Sequence, residues 1–200
     1  TLPSKESGVR YRLEGYLFPA TYGYGKDSKM EDLVDQMLAA MDQNLSAYYD
    51  TMEAKNIDVN EALTLASLIE KEGATDKDRK DIASVFYNRL NQDMPLQSNI
   101  AILYAQGQLG KKTTLKEDAT IDTNIDSPYN IYKNTGLMPG PVDSPGLSAI
   151  EAAVNPSKTD YLYFVANVET GEVYFAKTFE EHTKNVEEHV NSKLTESSSN

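Results

Sequence analysis

The chain has 200 residues, 40% hydrophobic and 25% charged, enough for one domain or two small lobes around a sizeable core. Its 31 acidic residues against 19 Lys and Arg give a net charge of −12 with no basic cluster, which argues against nucleic-acid binding. Cysteine is absent, which excludes disulfides, thiolate metal sites and a cysteine nucleophile; no apolar run would span a membrane and no signal peptide is present.

Residues 1–13 are polar and irregular. The stretch EGYLFPATYGYG, Glu14 to Gly25, is dense in aromatics and punctuated by Pro19, Gly23 and Gly25. Alternation of Tyr16 and Phe18 predicts an extended segment leading into a turn. Its tyrosines read first as core packing, with a sugar-stacking platform as the alternative. Ser28 is the expected N-cap of the next helix, with Glu31 three residues on completing a capping box. Met30, Leu33, Val34, Met37, Leu38, Met41 and Leu45 recur at helical spacing, so one amphipathic helix is predicted over 29–54, its methionines facing the core.

After a loop at 56–59 comes NEALTLASLIEKEG, Asn60 to Gly73, the stretch around which the rest is organised. As a helix it places Glu72 beside Ile69, Leu68 and Leu65, within an apolar stripe, because positions three, four and seven apart share a face. Glu70 falls beside Ser67, Ala66 and Leu63, and Lys71 on a more polar side. A carboxyl group among aliphatic side chains loses hydration, which raises its pKa, and the negative helix end at Gly73 pushes the same way. A carboxylic acid protonated near neutral pH is what a general acid needs. Glu72 is the candidate. The plain alternative is that Glu-Lys-Glu is a solvated helix end.

Thr75 with Asp78 opens another helix through Ile82, Val85, Phe86 and Leu90, with Asn88 and Arg89 near its end. Met94-Pro95-Leu96-Gln97-Ser98 breaks the pattern, a short helix is expected at 99–106, and 108–126 reads as a polar surface excursion. Residues 127–146, SPYNIYKNTGLMPGPVDSPG, preclude a regular helix or central strand, and their tyrosines argue for order, so a wall beside a cleft is expected. A helix at about 147–154 follows. YLYFVAN at 161–167 and EVYFA at 172–176 form a predicted hairpin across a turn at Glu169-Thr170-Gly171. A last helix, 178–193, leads to a disordered tail at 195–200.

Other chemistries fit poorly. His182 and His189 are two helical turns apart, about 10 Å of rise, too far for one zinc ion. No phosphate-binding glycine loop and no Gly-x-Ser-x-Gly elbow occurs. No metal or organic cofactor is expected.

Several segments, in order, resemble the YceG-like endolytic murein transglycosylases, the MltG family. They are EGYLFPATY at 14–22, LASLIEKE at 65–72, ASVFYNRL at 83–90, MPLQS at 94–98, the 127–146 segment, and AAVNPSKTDYLYFV at 152–165. Two departures stand out: Asn99 where the family commonly has aspartate, and Leu137-Met138-Pro139-Gly140 where it tends to have Leu-Pro-Pro-Gly. The resemblance implies cleavage of the β-1,4 bond between N-acetylmuramic acid and N-acetylglucosamine within peptidoglycan glycan strands, leaving 1,6-anhydro ends. The family's catalytic glutamate matches Glu72. Family members usually carry a membrane helix and a LysM-like domain upstream and act beside cell-wall synthases, including the penicillin-binding transpeptidases. An extracytoplasmic location and an anchor upstream of Thr1 are therefore expected.

Such a reaction needs only one carboxylate: Glu72 protonates the glycosidic oxygen, then takes the proton of the attacking 6-hydroxyl. Gln97, Asn88, Tyr129, Asn130 and Glu14 are the expected substrate-binding residues; each could equally be a structural hydrogen-bonding residue. The expected architecture is α+β: a mainly helical catalytic domain over 1–194, with a small antiparallel sheet and the long ordered Pro/Gly/Tyr-rich loop. The rivals are a muramidase that uses water at the same glutamate, and a non-catalytic peptidoglycan-binding module.

Overall fold

Helix α3, Val59–Glu72, is the element that the others enclose. The computed structural model describes residues 2–110, 120–167 and 170–191. A capping box starts α3: Glu61 N–H donates to the Asp58 carboxylate at 2.8 Å, and Asp58 N–H donates to the Glu61 carboxylate at 2.8 Å. From Ala62 to Ile69 every residue is buried, so α3 has no solvent stripe in its middle. Leu63, Leu65, Leu68 and Ile69 each contribute about 1.5–3 kcal/mol by that burial. The buried Ser67 hydroxyl is satisfied twice, donating to Thr64 O at 2.7 Å and accepting from Val142 N–H at 3.0 Å.

The helix ends at Gly73, whose φ of −102° is not left-handed. What requires glycine is space. A Cβ there would lie 2.7 Å from Arg79 Cγ and 3.1 Å from its backbone, at the tight crossover into the next helix. That helix, α4, Asp76–Leu90, opens with the expected Thr75–Asp78 capping box.

The predicted helix over 29–54 is in fact α1, Met30–Leu45, a 3₁₀ turn at Ser46–Tyr48, and α2, Tyr49–Ala54. At the break the Ser46 hydroxyl donates back to Gln43 O at 2.7 Å, a local bond that competes with helix continuation. Ser28 does not cap α1. Its hydroxyl accepts from Gly25 N–H at 2.9 Å and closes the preceding turn, leaving α1 without a side-chain cap.

Helix α5, Asn99–Ala105, is capped by Ser98, and α6, Leu147–Val154, packs with α4 along α3. Strands β1, Tyr163–Ala166, and β2, Val173–Ala176, pair antiparallel with Phe164 opposite Phe175. Each strand is four residues, shorter than the predicted runs. Helix α7, Phe179–Val186, runs into a π-helical turn, Glu187–Asn191, and packs on the hairpin. Mainly helical with one small antiparallel sheet, the chain is α+β. Residue 169 of the predicted turn, 111–119 of the surface excursion and the 195–200 tail lie outside the described residues. No described helix is long and apolar enough to cross a membrane.

Residues 127–146 contain no helix or strand, as expected, but they are not chiefly a wall of a cleft. They run along α3. Asn60 Nδ2 donates to Pro139 O at 3.1 Å, Val142 reaches Ser67, and Gly146 N–H donates to Glu70 at 2.9 Å. Gly15 allows the N-terminal segment to press against this loop: at φ +79°, a Cβ there would fall 2.3 Å from Pro141 Cβ.

Candidate active site

The C-terminal end of α3, the start of α5, strand β1 and helix α7 surround a cleft of about 760 Å³. Residues 71–74 form one side, and Phe164 to Asn167 with His182 form another. Leu96, Gln97, Asn99 and Ile100 complete it, and Tyr132 is the contribution of the 127–146 segment.

The two glutamates at the end of α3 are used differently. Glu70 is held on both oxygens: Arg79 Nη2 donates to it at 3.1 Å, and Gly146 N–H at 2.9 Å. Lys71 pairs with Asp143 at 2.7 Å. Glu72 is half-buried and lines the cleft, and the Ser98 hydroxyl donates to its Oε1 at 2.6 Å. Ser98 also accepts from Ile100 N–H at 3.2 Å, so one hydroxyl caps α5 and holds the Glu72 carboxyl. Among the described lining residues Glu72 is the single carboxylate.

Gln97 lines the cleft beside it, with a backbone φ of +58°. A left-handed conformation in a non-glycine residue is strained, and such strain clusters at functional sites. Here Gln97 N–H donates to Ile131 O at 3.0 Å, and Arg89 Nη1 donates to its side-chain Oε1 at 3.1 Å. Arginine only donates, so the amide oxygen must face it, leaving the NH₂ end of Gln97 for the cleft. The Tyr132 hydroxyl donates to Asn99 Oδ1 at 2.6 Å, joining two further lining residues.

The other four expected residues lie outside the lining. Asn88 Nδ2 donates to Thr159 O and Tyr161 O, both at 2.9 Å, fixing the lead-in to β1. Asn130 is buried, with Nδ2 donating to Thr123 O at 3.0 Å and Ile125 O at 2.7 Å, while its Oδ1 accepts from Tyr132 N–H at 3.1 Å. It thereby shapes the loop that delivers Tyr132. Tyr129 and Glu14 belong to a second cluster with Tyr104 and Arg10. The Tyr129 hydroxyl accepts from Arg10 N–H at 3.1 Å, and the Tyr104 hydroxyl donates to Glu14 at 3.4 Å. Burial, reinforced by the charge of Asp143, raises the pKa of Glu14. Sequence reasoning missed Ser98, Asn99, Tyr132, Arg89 and His182 as lining or supporting residues; of these only Ser98 carries a sequence signal, as an N-cap residue before α5. Among the described residues no cluster of His, Asp and Glu is arranged to hold a metal ion.

Fold and cleft together define a mainly helical α+β domain that presents one hydroxyl-anchored carboxylate at a helix end. The sequence carries the assignment further. The chain belongs to the YceG-like family, whose sequence profile matches residues 2–188. It is 68% identical over 194 residues to the endolytic murein transglycosylase of Streptococcus pneumoniae serotype 2 strain D39, covering 97% of this chain and 35% of that protein. To the endolytic murein transglycosylase of Bacillus subtilis strain 168 it is 47% identical over 186 residues, covering 92% of this chain and 50% of that one. A crystal structure of a YceG-like protein from Listeria monocytogenes matches with a TM-score of 0.80 at 50% identity, over 88% of this chain and 56% of that one. The chain thus spans between about a third and a half of the length of these curated relatives.

Proposed function

We propose that this chain is the catalytic portion of an endolytic murein transglycosylase. It would cleave the β-1,4 bond between N-acetylmuramic acid and N-acetylglucosamine within glycan strands and leave 1,6-anhydro-muramic ends. The observation that carries this reading is Glu72, the single carboxylate among the described lining residues, held by Ser98 while Glu70 is committed to Arg79 and Gly146. Most hydrolytic glycosidases need a second carboxylate as base or nucleophile. An intramolecular attack does not.

In this mechanism Glu72 protonates the glycosidic oxygen as the bond to the anomeric carbon breaks. The ionised carboxylate then accepts the proton of the 6-hydroxyl, which closes the anhydro ring. Holding that hydroxyl near the anomeric carbon makes the second step effectively unimolecular, a large entropic advantage. Gln97 offers its NH₂ to the sugars, and Tyr132 with Asn99 borders the same space. Asn88 and Asn130 would act on the substrate only through the segments they hold, the lead-in to β1 and the loop that delivers Tyr132. The parent protein would work outside the cytoplasmic membrane, anchored by a helix upstream and close to cell-wall synthases.

The test is mass spectrometry of purified peptidoglycan after digestion. Anhydro ends are expected, with no water added. Products one water heavier would instead identify a muramidase using the same glutamate, and no cleavage at any pH would favour a binding module.

A further inference from the structure

Arg89 is the most unusual charge in the molecule. Its relative exposure is 6%, and it lines the cleft. Buried arginines are ordinarily paired with a carboxylate, because an uncompensated buried charge is costly. Arg89 has no such partner among the described residues. Nε donates to Leu162 O at 2.6 Å, and Nη1 donates to Pro95 O at 2.9 Å, Leu96 O at 3.1 Å and Gln97 Oε1 at 3.1 Å. Every acceptor is neutral. The guanidinium carbon sits 5.1 Å from the Tyr163 ring centroid, and that ring stacks on His182 at 5.4 Å. Among the described residues no hydrogen bond from Nη2 accompanies these.

His182, at the same side of the cleft, cannot be the counter-ion, because an imidazole is either neutral or cationic. Burial and the charge of Arg89 hold its pKa below the ordinary 6.5, and its Nδ1 is buried without a partner. In a chain with a net charge of −12, the cleft nevertheless gathers Lys71, Arg89 and His182 around one carboxylate. Lys71 is spoken for by Asp143. Among the described lining residues, Arg89 alone is a fixed cation lacking a counter-ion.

We propose that Arg89 is a specificity-determining residue whose counter-ion is a carboxylate of the substrate, carried on the muramic acid close to the bond whose oxygen Glu72 protonates. The inference rests on the peptidoglycan reading of the cleft. Two sources supply that chemistry: the lactyl carboxylate of strands stripped of peptide, and the carboxylates of an attached stem peptide.

The experiment measures binding to soluble glycan strands by calorimetry with the Glu72→Gln protein, so that nothing is cleaved. Four ligands are compared: peptide-bearing and peptide-free strands, each with carboxylates free or converted to amides. A charge-assisted bond to a carboxylate predicts about tenfold or more weaker binding of the amidated form. Loss confined to the peptide-free pair assigns the lactyl carboxylate, and loss confined to the peptide-bearing pair assigns the stem. The preference should vanish when Arg89→Gln is added. If that protein does not fold, Arg89→Lys replaces it, and a reduced free-to-amide ratio supports the assignment. Equal binding of free and amidated strands in both pairs would overturn it, as would a preference left unchanged by the Arg89 substitution. Binding is read on uncleaved strands, so this result is separate from the product mass that decides the reaction type.

Discussion

Glu70 and Glu72 stand two positions apart on one helix, and substituting each by glutamine should produce opposite phenotypes. Glu72→Gln keeps the shape and an acceptor for the Ser98 hydroxyl but removes the proton that the proposed acid would transfer. Loss of a general acid costs about 10²–10⁴-fold in rate, or about 2.7–5.5 kcal/mol of barrier. Its thermal stability should stay within about 0.5 kcal/mol of wild type, since the Ser98 hydroxyl keeps its acceptor. Glu70→Gln breaks an ion pair. The Arg79 and Glu70 side chains are 17% and 26% exposed, so solvent screens the pair only partly. Arg79 Nε is already buried without a partner, which makes loss of the Nη2 contact harder to compensate. The glutamine oxygen can still accept from Gly146, so the cost is set at the lower end for a charged hydrogen bond, about 1.5 kcal/mol. For a chain of this size that is about 3–6 °C in Tm. The assay pairs chromatography of released muropeptides with calorimetry on the same samples. The partition is refuted if Glu72→Gln cleaves within tenfold of wild type. It is equally refuted if Glu70→Gln loses as much activity as Glu72→Gln while melting at the wild-type temperature.

Ser98→Ala removes both the Glu72 contact and the α5 cap, so kcat should fall about tenfold through lost orientation, with about 0.5–2 kcal/mol of stability. Ser98→Thr should restore both, and full kcat in the alanine protein would reduce Ser98 to a cap. Gly73→Ala drives a methyl against Arg79 Cγ and backbone, costing about 1–3 kcal/mol, measurable by denaturant unfolding. His182 sets a pH dependence. Its folded pKa lies below 6.5, so below about pH 6.5 the unfolded chain binds more protons and stability falls, whereas above it the contribution disappears. Between pH 7 and 5 the wild type should therefore lose more Tm than His182→Gln, and parallel curves would show that His182 is not the group responsible.

Local signals in the sequence were reliable where partners are close along the chain. The Thr75–Asp78 box and the end of α3 at Glu72 are both found as expected, because a cap needs only neighbours within one turn. Ser28 failed as a cap because another local bond, from Gly25 N–H, claimed its hydroxyl. An apolar face does not single out Glu72. Residues 62–69 are buried on every side, so the Leu63, Ala66 and Ser67 face behind Glu70 is as enclosed as the other. What separates the two glutamates is partners distant in sequence: Gly146 for Glu70 and Ser98 for Glu72. Asn88, Asn130 and Tyr129 show the same limit. Their polar groups bond backbone segments up to 119 residues away, and nothing in local pattern distinguishes such a role from one in a site.

The enclosure of α3 has a dynamic consequence. Backbone amides of 62–69 are shielded by every neighbouring element, so their hydrogen exchange should require opening close to the global free energy. The far side of the cleft is built differently. Tyr163 to Ala166 are half-buried throughout, and among the described residues β1 pairs with β2 alone, so this hairpin is expected to open as a smaller unit with much faster exchange. Glu72, three residues beyond 62–69, therefore sits next to the segment expected to exchange most slowly, while the opposing face is expected to open more readily. If the cleft takes a glycan strand in mid-chain, as proposed, that division would let the strand enter sideways without disturbing Glu72.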